Sequence, residues 1–408
     1  MPCASSPVRH SDDSDAMRAR GAPPAVNTMR SAGPIAIATA VCWLWACAAG
    51  SSTSLAGVDD EPSAPAIDSL RPWPGASGAT VADVADALDG DVSGLVWDVG
   101  ASSVASPVIW AVQNNPGRLY RLTHDGQNWG PDTASTWREG VDLRYPGGVG
   151  YPDAEGVTLV AAGDAAGSTR VFYVAAERNN GAREASRNTV LRFVLHDGLS
   201  SDSSDGDDSA SGRPVWSADA LWELNELLPR TGANEGIEAI TWVPDSVLTR
   251  AGLVDRETGG GYTPARFGSH DDGVVFVGVE ATGSVHGFVL DLDSGEAHEI
   301  TRFETGLDHV MGLEFDAATG QLWASCDDSC GVQLAVFGVE AATASPHVGQ
   351  FVRRGWYRSP EGLADLNLEG LAIAPASRCT GSPARREVLW SDDGATGGHV
   401  LWKGWLDC

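Results

Sequence analysis

The sequence predicts an all-β protein folded as a β-propeller of four-stranded blades, with five blades as the count and six as the alternative. Three observations carry this. A short strand motif recurs five times: SGLVWD (Ser93 to Asp98), EGVTLV (Glu155 to Val160), EAITWVP (Glu238 to Pro244), MGLEFD (Met311 to Asp316) and EGLAIAP (Glu369 to Pro375). Each motif is followed by a second β-rich run, the five beginning at Val108, Val171, Val274, Gln321 and Glu387. Each then has a third run in strand alternation, RLYRLTHDG, TVLRFVLHDG, HGFVLDLDSG, QLAVFGVEAA and HVLWKGWLDC.

The fourth strand of each unit is less regular. VWSADALWEL (Val215 to Leu224), AHEITRFETG (Ala297 to Gly306) and GQFVRRGWYRS (Gly349 to Ser359) stand in the right places. The last unit ends after its third strand at Cys408, so its fourth strand is expected from the N-terminal side, within residues 79 to 90. The Ser/Asp run from Ser200 to Gly212 and the stretch from Leu248 to Asp272 read as long loops between strands.

Ahead of the propeller, residues 1 to 28 are polar and without periodicity and read as a leader outside the fold. Met29 and Arg30 precede an apolar run too short to span a bilayer, so residues 29 to 47 read as an export signal. Leu44-Trp45-Ala46-Cys47 resembles a bacterial lipobox, and Ala46-Cys47-Ala48 also fits ordinary signal cleavage. The chain is thus expected outside the cytoplasm, secreted or held at the cell surface by a lipid on Cys47. Residues 48 to 79 read as a flexible tether, and residues 80 to 408 as the propeller domain.

Composition narrows the partners. The chain has 408 residues, is 42% hydrophobic and carries 15 Trp, enough for a large core. Lys and Arg total 27 against 55 Asp and Glu, a formal charge of −28, which argues against nucleic acid. Cys326, Cys330, Cys379 and Cys408 follow the signal; in an oxidising compartment their spacing favours Cys326 with Cys330 and Cys379 with Cys408. A zinc site is the rival reading, for which CDDSC has the wrong internal spacing. Trp97, Trp110, Trp242, Trp323, Trp390 and Trp402 lie on predicted strands, where burial is the default.

In a propeller the start of each first strand and the end of each second strand meet at one mouth of the central channel. That rule collects Asp91, Asp153, Glu155, Glu177, Glu238, Glu280, Asp327, Glu369 and Asp392, with Glu235 beside them. Crowded carboxylates repel and raise one another's pKa unless a cation compensates. Oxygen ligands in this number match calcium, with Asp153, Glu155, Glu177, Glu235, Glu238, Glu280, Asp327, Glu369 and Asp392 as the ligand set. The rival reading makes each Glu-Gly step a turn device. Ser93 and Met311 interrupt the acidic ring.

The chain has no G-x-S-x-G and no H-E-x-x-H motif. His309 falls at the predicted mouth as a general base, oriented by Asp308, with Glu155 and Glu369 as carboxylates able to activate water. Arg178 lies at the same mouth, whereas Arg118 and Arg192 fall on third strands.

The steps NEGIEAITWVP (Asn234 to Pro244) and NLEGLAIAP (Asn367 to Pro375), with acids at the ends of the second strands, resemble the phytase-like, or esterase-like, β-propeller family of exported bacterial proteins. The resemblance spans Asp91 to Cys408. It implies a calcium-dependent phosphoester or ester hydrolase acting on a small molecule. The chain lacks the DDPAxW-type first-blade motif of the true β-propeller phytases, which makes phytate a poor substrate. Two alternatives stay open: a lactonase, since lactonases of the gluconolactonase and paraoxonase type use a similar funnel, and a calcium-stabilised platform that binds an envelope protein or glycan without chemistry.

Overall fold

A computed structural model describes residues 70–100, 107–133, 137–160, 169–196 and 212–408. The leader, the signal and the lipobox at Cys47 lie outside the described residues, as does most of the Ser/Asp run. Among the described residues no helix is long and apolar enough to cross a membrane.

Five sheets are built in sequence order, each around four antiparallel strands. Blade one holds β2 (Val92–Trp97), β3 (Val108–Gln113), β4 (Arg118–His124) and β6 (Val141–Arg144), with β5 (Trp129–Pro131) also on β4. Blade two holds β7 (Pro152–Leu159), β8 (Thr169–Asn179), β9 (Ser186–His196) and β11 (Ala220–Glu223). Blade three holds β12 (Ile237–Pro244), β13 (Gly273–Val279), β14 (Ser284–Leu290) and β15 (Ala297–Glu304). Blade four holds β16 (Gly312–Asp316), β17 (Gln321–Ser325), β18 (Gln333–Val339) and β19 (Phe351–Arg358). Blade five holds β20 (Leu368–Ile373), β21 (Arg385–Asp392) and β22 (Leu401–Asp407), and its fourth strand is β1 (Thr80–Val81).

β1 pairs antiparallel with β22, Thr80 opposite Lys403, so the N-terminal side closes the ring. Closure protects the edge of the last blade and ties the two ends of the domain together. There are five blades, because the long interval after β12 is an excursion rather than a sixth sheet. It contains the short helix α1 (Asp245–Ala251).

Two expectations are corrected. VWSADALWEL divides between blades: Val215–Ser217 (β10) adds in parallel to β6 of blade one, and only Ala220–Glu223 closes blade two on β9. The tether is also shorter than 48 to 79. From Leu70 the chain is packed, with Leu70 and Trp73 buried, the Trp73 indole donating to the Trp405 carbonyl at 2.8 Å, and Trp73 packed edge-on against Trp390 at 5.6 Å.

Large aromatics fill the seams between blades. Trp110 meets Phe172 across blades one and two at 4.9 Å, and Phe276 meets Phe351 across blades three and four at 5.4 Å. Such contacts combine area burial with a favourable edge-to-face geometry. Disulfides join Cys326 to Cys330 in the blade-four hairpin and Cys379 to Cys408 at the C-terminus.

The excursion after β12 is pinned by a charged histidine. His270 Nε2 lies 2.8 Å from Asp245 Oδ2 and Nδ1 lies 2.6 Å from the Gly268 carbonyl, so both ring nitrogens face acceptors and both must donate. The Asp245 bond raises the His270 pKa above its usual value, against the opposing pull of burial. A raised histidine pKa adds stability that is complete below the unfolded value near 6.5 and is lost as pH rises through the folded one. The His270→Gln variant is expected to be less stable than the parent by about 1 kcal/mol at pH 6, with the gap narrowing by pH 8.5. Denaturant melts at the two pH values measure this; a constant gap contradicts it.

Candidate functional site at the channel mouth

The first strands β2, β7, β12, β16 and β20 surround the axis. Ser93, Glu155, Glu238, Met311 and Glu369 form one layer of the channel, and Leu95, Val157, Ile240, Leu313 and Leu371 form the layer beneath. The central strands approach closely, and this explains the glycine after each ring position in four blades. A Cβ on Gly94 would stand 2.7 Å from the Gly156 Cα, and one on Gly312 would stand 2.9 Å from the Glu369 carbonyl oxygen.

Glu235-Gly236 stands in the bend before β12, but the Glu155-Gly156 and Glu369-Gly370 steps are not turns. β-Bulges mark the ring positions of four blades: the first-strand registers shift between Val92 and Gly94, between Ala154 and Gly156, between Ile237 and Ala239, and between Leu368 and Leu371. A bulge re-aims the side chain it carries. In blade four β16 pairs with β17 without a shift, and there the ring residue is Met311. All three ring glutamates therefore stand at bulges, as does Ser93.

Asp153, Glu155 and Glu177 are buried and bring one carboxylate oxygen each within 4.8 Å of one another. Glu155, Glu238 and Glu369 are driven well above the usual carboxylate range, first by burial and then by neighbouring acids. For Glu155 these are Glu369, Asp153 and Glu177, for Glu238 they begin with Glu155, and for Glu369 they begin with Asp393. Burial carries Glu177 up to about 7 even though its Oε2 accepts from the Gly236 amide at 3.1 Å. Burial likewise raises Asp153 and Glu280, opposed by Arg178 in the first case and by His309 in the second.

Compensation from cations is thin. Arg178 contacts Asp153 and reaches Glu177 Oε1 at 3.1 Å, and it also donates to the Ala233 carbonyl at 3.0 Å. Arg178 and the Asn180 side chain both oppose the burial of the Asp153 carboxyl. Exposed Arg183 acts on Asp153 and Asp91 through charge alone. Arg118 instead bonds Asp142 at 2.9 Å and Arg192 bonds Asp271 at 2.7 Å, away from the mouth.

The remaining predicted residues are dispersed around the rim. Glu280 is half-buried, with Asp327 and Glu235 as its acidic neighbours and with its carbonyl 3.2 Å from His309 Nδ1. Glu235 is exposed and accepts from the Gly232 amide at 3.1 Å, closing its own loop. Asp327 caps the short turn at Asp328–Cys330 by accepting from the Ser329 amide at 3.1 Å. Asp392 is fully buried and accepts from the Thr396 amide at 2.9 Å. Asp308 is exposed and makes no bond to His309; the Glu280 carbonyl orients that ring instead.

Sequence reasoning missed Asp393. Its carboxyl is raised to about 6 by burial and by Asp91, and Asn367 bonds both it (3.3 Å) and Glu369 (3.4 Å). The double acid Asp392-Asp393 at the end of a second strand was the available signal, and the turn takes the first of the pair. Asn180, whose side chain donates to the Asn114 and Pro152 carbonyls at 2.9 and 3.1 Å, also belongs to this wall.

The donor set fits a hard cation. Glu369 Oε2, Asp392 Oδ1, Asp393 Oδ1, Asn114 Oδ1 and Asn180 Oδ1 are buried with no hydrogen bond, and all five are oxygens. Buried polar atoms without partners are costly and call for a missing ligand. Oxygen-only sets suit calcium and magnesium rather than zinc.

The molecule is thus a five-bladed β-propeller with an acid-lined mouth. No protein-family model matches the chain, and no curated protein matches it. Among solved structures it is similar in trace to an exo-β-1,3-galactanase from Phanerochaete chrysosporium, at 10% identity and TM-score 0.39, over 80% of this chain and 64% of that one. It is also similar to putative 6-phosphogluconolactonases from Bacteroides fragilis (11% identity, TM-score 0.31, 74% of this chain and 68% of that one) and Bacteroides uniformis (13%, 0.31, 77% and 85%). The chain spans less than two thirds of the galactanase, and at these distances the likeness says nothing about activity.

The raised carboxyls set a pH signature. In the folded state they hold protons that the unfolded chain has already released, so stability falls as pH rises from the ordinary carboxylate range through about 7. In chelator the melting temperature is expected to drop between pH 5 and pH 8. A divalent cation should restore it more at pH 8 than at pH 5, and Glu238→Gln should flatten both effects. Scanning calorimetry over that range checks this, and a chelated protein whose melting temperature holds or rises towards pH 8 contradicts it.

Proposed function

We propose that the chain is an exported calcium-dependent hydrolase of the phytase-like kind, acting on an ester or phosphoester at the acidic mouth. One observation carries the reading: buried carboxylates with raised pKa values share the mouth with orphaned oxygen atoms, while the only cationic side chain in contact with them among the described residues is Arg178. A site that costly in folding energy is retained for binding. The two disulfides suit an oxidising compartment.

Asp153, Glu155, Glu177, Glu238 and Glu369 would hold the cation, with Asp392 and Asp393 behind them. When bound, calcium supplies a Lewis acid for a phosphoryl or carbonyl oxygen. Arg178 and Arg183 give the same mouth a positive edge, which favours an anionic substrate and orients its charge towards blade two. His309 donates from Nδ1 to the Glu280 carbonyl, which leaves Nε2 as the nitrogen with a lone pair, able to take a proton from an attacking water.

Metal analysis of the purified protein, followed by a phosphoester, carboxyl-ester and lactone panel with and without calcium, tests the reading. The expected result is calcium-dependent turnover of one ester class, reduced at least about a hundredfold in Glu155→Gln and Glu369→Gln. Melting that ignores calcium contradicts the site. Calcium-dependent melting without turnover on the panel contradicts the hydrolase and leaves the platform, and turnover of lactones alone makes the protein a lactonase.

A further inference from the structure

The far end of the channel holds a second cavity of 320 Å³, walled by the C-terminal halves of the first strands, among them Trp97, Trp242, Phe315 and Ile373. The leucine-rich layer of Leu95, Val157, Ile240, Leu313 and Leu371 separates it from the acidic mouth, where the axis leaves only 10 Å³ of space, room for at most about one water. The two ends are therefore distinct sites.

Beside Asp316, the wall of this cavity carries a second buried acid, Glu314. Its position is informative because the blades repeat. Three residues after the ring position, Thr158 accepts from the Trp242 amide at 3.1 Å, and Thr241 accepts from the Phe315 amide at 3.1 Å, each linking its blade to the next. Glu314 makes the corresponding link to the Ile373 amide with Oε1, at 3.4 Å. A threonine does that job in two blades, and a carboxyl brings a second oxygen that the link does not use. The ion pair on the wall, Asp316 with Arg386, is closed by two bonds of 2.7 and 2.6 Å. Glu314 makes no ion pair of its own, and Arg386 acts on it through charge alone.

We propose that this cavity is a second binding site, for a primary ammonium group carried on a short aromatic or apolar body, with Glu314 as its anion and the rings of Trp97 and Trp242 as walls. Indole faces attract cations. A volume of 320 Å³ accommodates one aromatic ring with its aminomethyl arm. Burial holds the Glu314 carboxyl well above its usual range. An ammonium ligand pairs with the ionised form, so the carboxyl releases its proton to solvent as the ligand enters. The site is independent of any chemistry at the acidic mouth.

Titration calorimetry with benzylammonium and its neutral isostere benzyl alcohol, in two buffers of different ionisation heat and with calcium present, tests this on the purified protein. The expected result is benzylammonium binding about tenfold more tightly than benzyl alcohol, with a net release of protons that benzyl alcohol does not cause. Glu314→Gln keeps an oxygen for the Ile373 amide and should erase both the preference and the proton release. Glu314→Thr, the residue used in blades two and three, should do the same if the glutamine variant folds poorly. Equal affinity for the two ligands, absence of binding, unchanged behaviour in the variants, or loss of benzylammonium binding when calcium is added would each overturn the proposal, the last by placing the ammonium at the acidic mouth.

Discussion

Five first strands must approach one another around a single axis, and most features of this molecule follow from that crowding. Where the strands come closest a Cβ cannot fit, so glycine occupies the position after the ring residue in four blades. Register shifts in blades one, two, three and five turn four side chains towards the axis at one end. Below them the same strands offer Leu, Val and Ile, which close the channel. A mouth lined with whatever the bulges carry, above an apolar plug, is the geometric result.

Three of the four bulged ring positions carry glutamate, and that choice costs stability. Buried carboxylates crowded together are held off ionisation by desolvation and by one another, and one arginine in contact does not balance them. A scaffold that needed only packing would carry Met at each position, as blade four does with Met311. Replacing uncompensated buried charge by apolar residues tends to stabilise a fold, so retaining it points to a ligand that neutralises it.

Much of this was legible in the sequence because propeller geometry repeats. Strand period, the aligned first-strand motifs and the recurring second strands located Glu155, Glu238 and Glu369 on one ring, and the missing fourth strand of blade five pointed to the segment that supplies Thr80–Val81. What stayed hidden depends on local registry. Bulges inside strands look like turns when only Glu-Gly is visible. Of Asp392 and Asp393, the backbone of one turn decides which carboxyl is spent on the Thr396 amide. The Val215–Ser217 strand joins blade one in parallel although its neighbours in sequence belong to blade two, a non-local pairing that alternation alone cannot assign. His309 was placed at the rim by its position, but its partner is a backbone carbonyl, which no side-chain pattern reveals.

The central claim is that the buried carboxylates of the mouth share a hard cation. A crystal structure from calcium-containing solution, read with anomalous diffraction, tests it most directly. The account predicts an anomalous peak bound by oxygens of Asp153, Glu155 and Glu177 at about 2.3–2.6 Å. A mouth holding only water, with neighbouring carboxyls paired through shared protons, would contradict it.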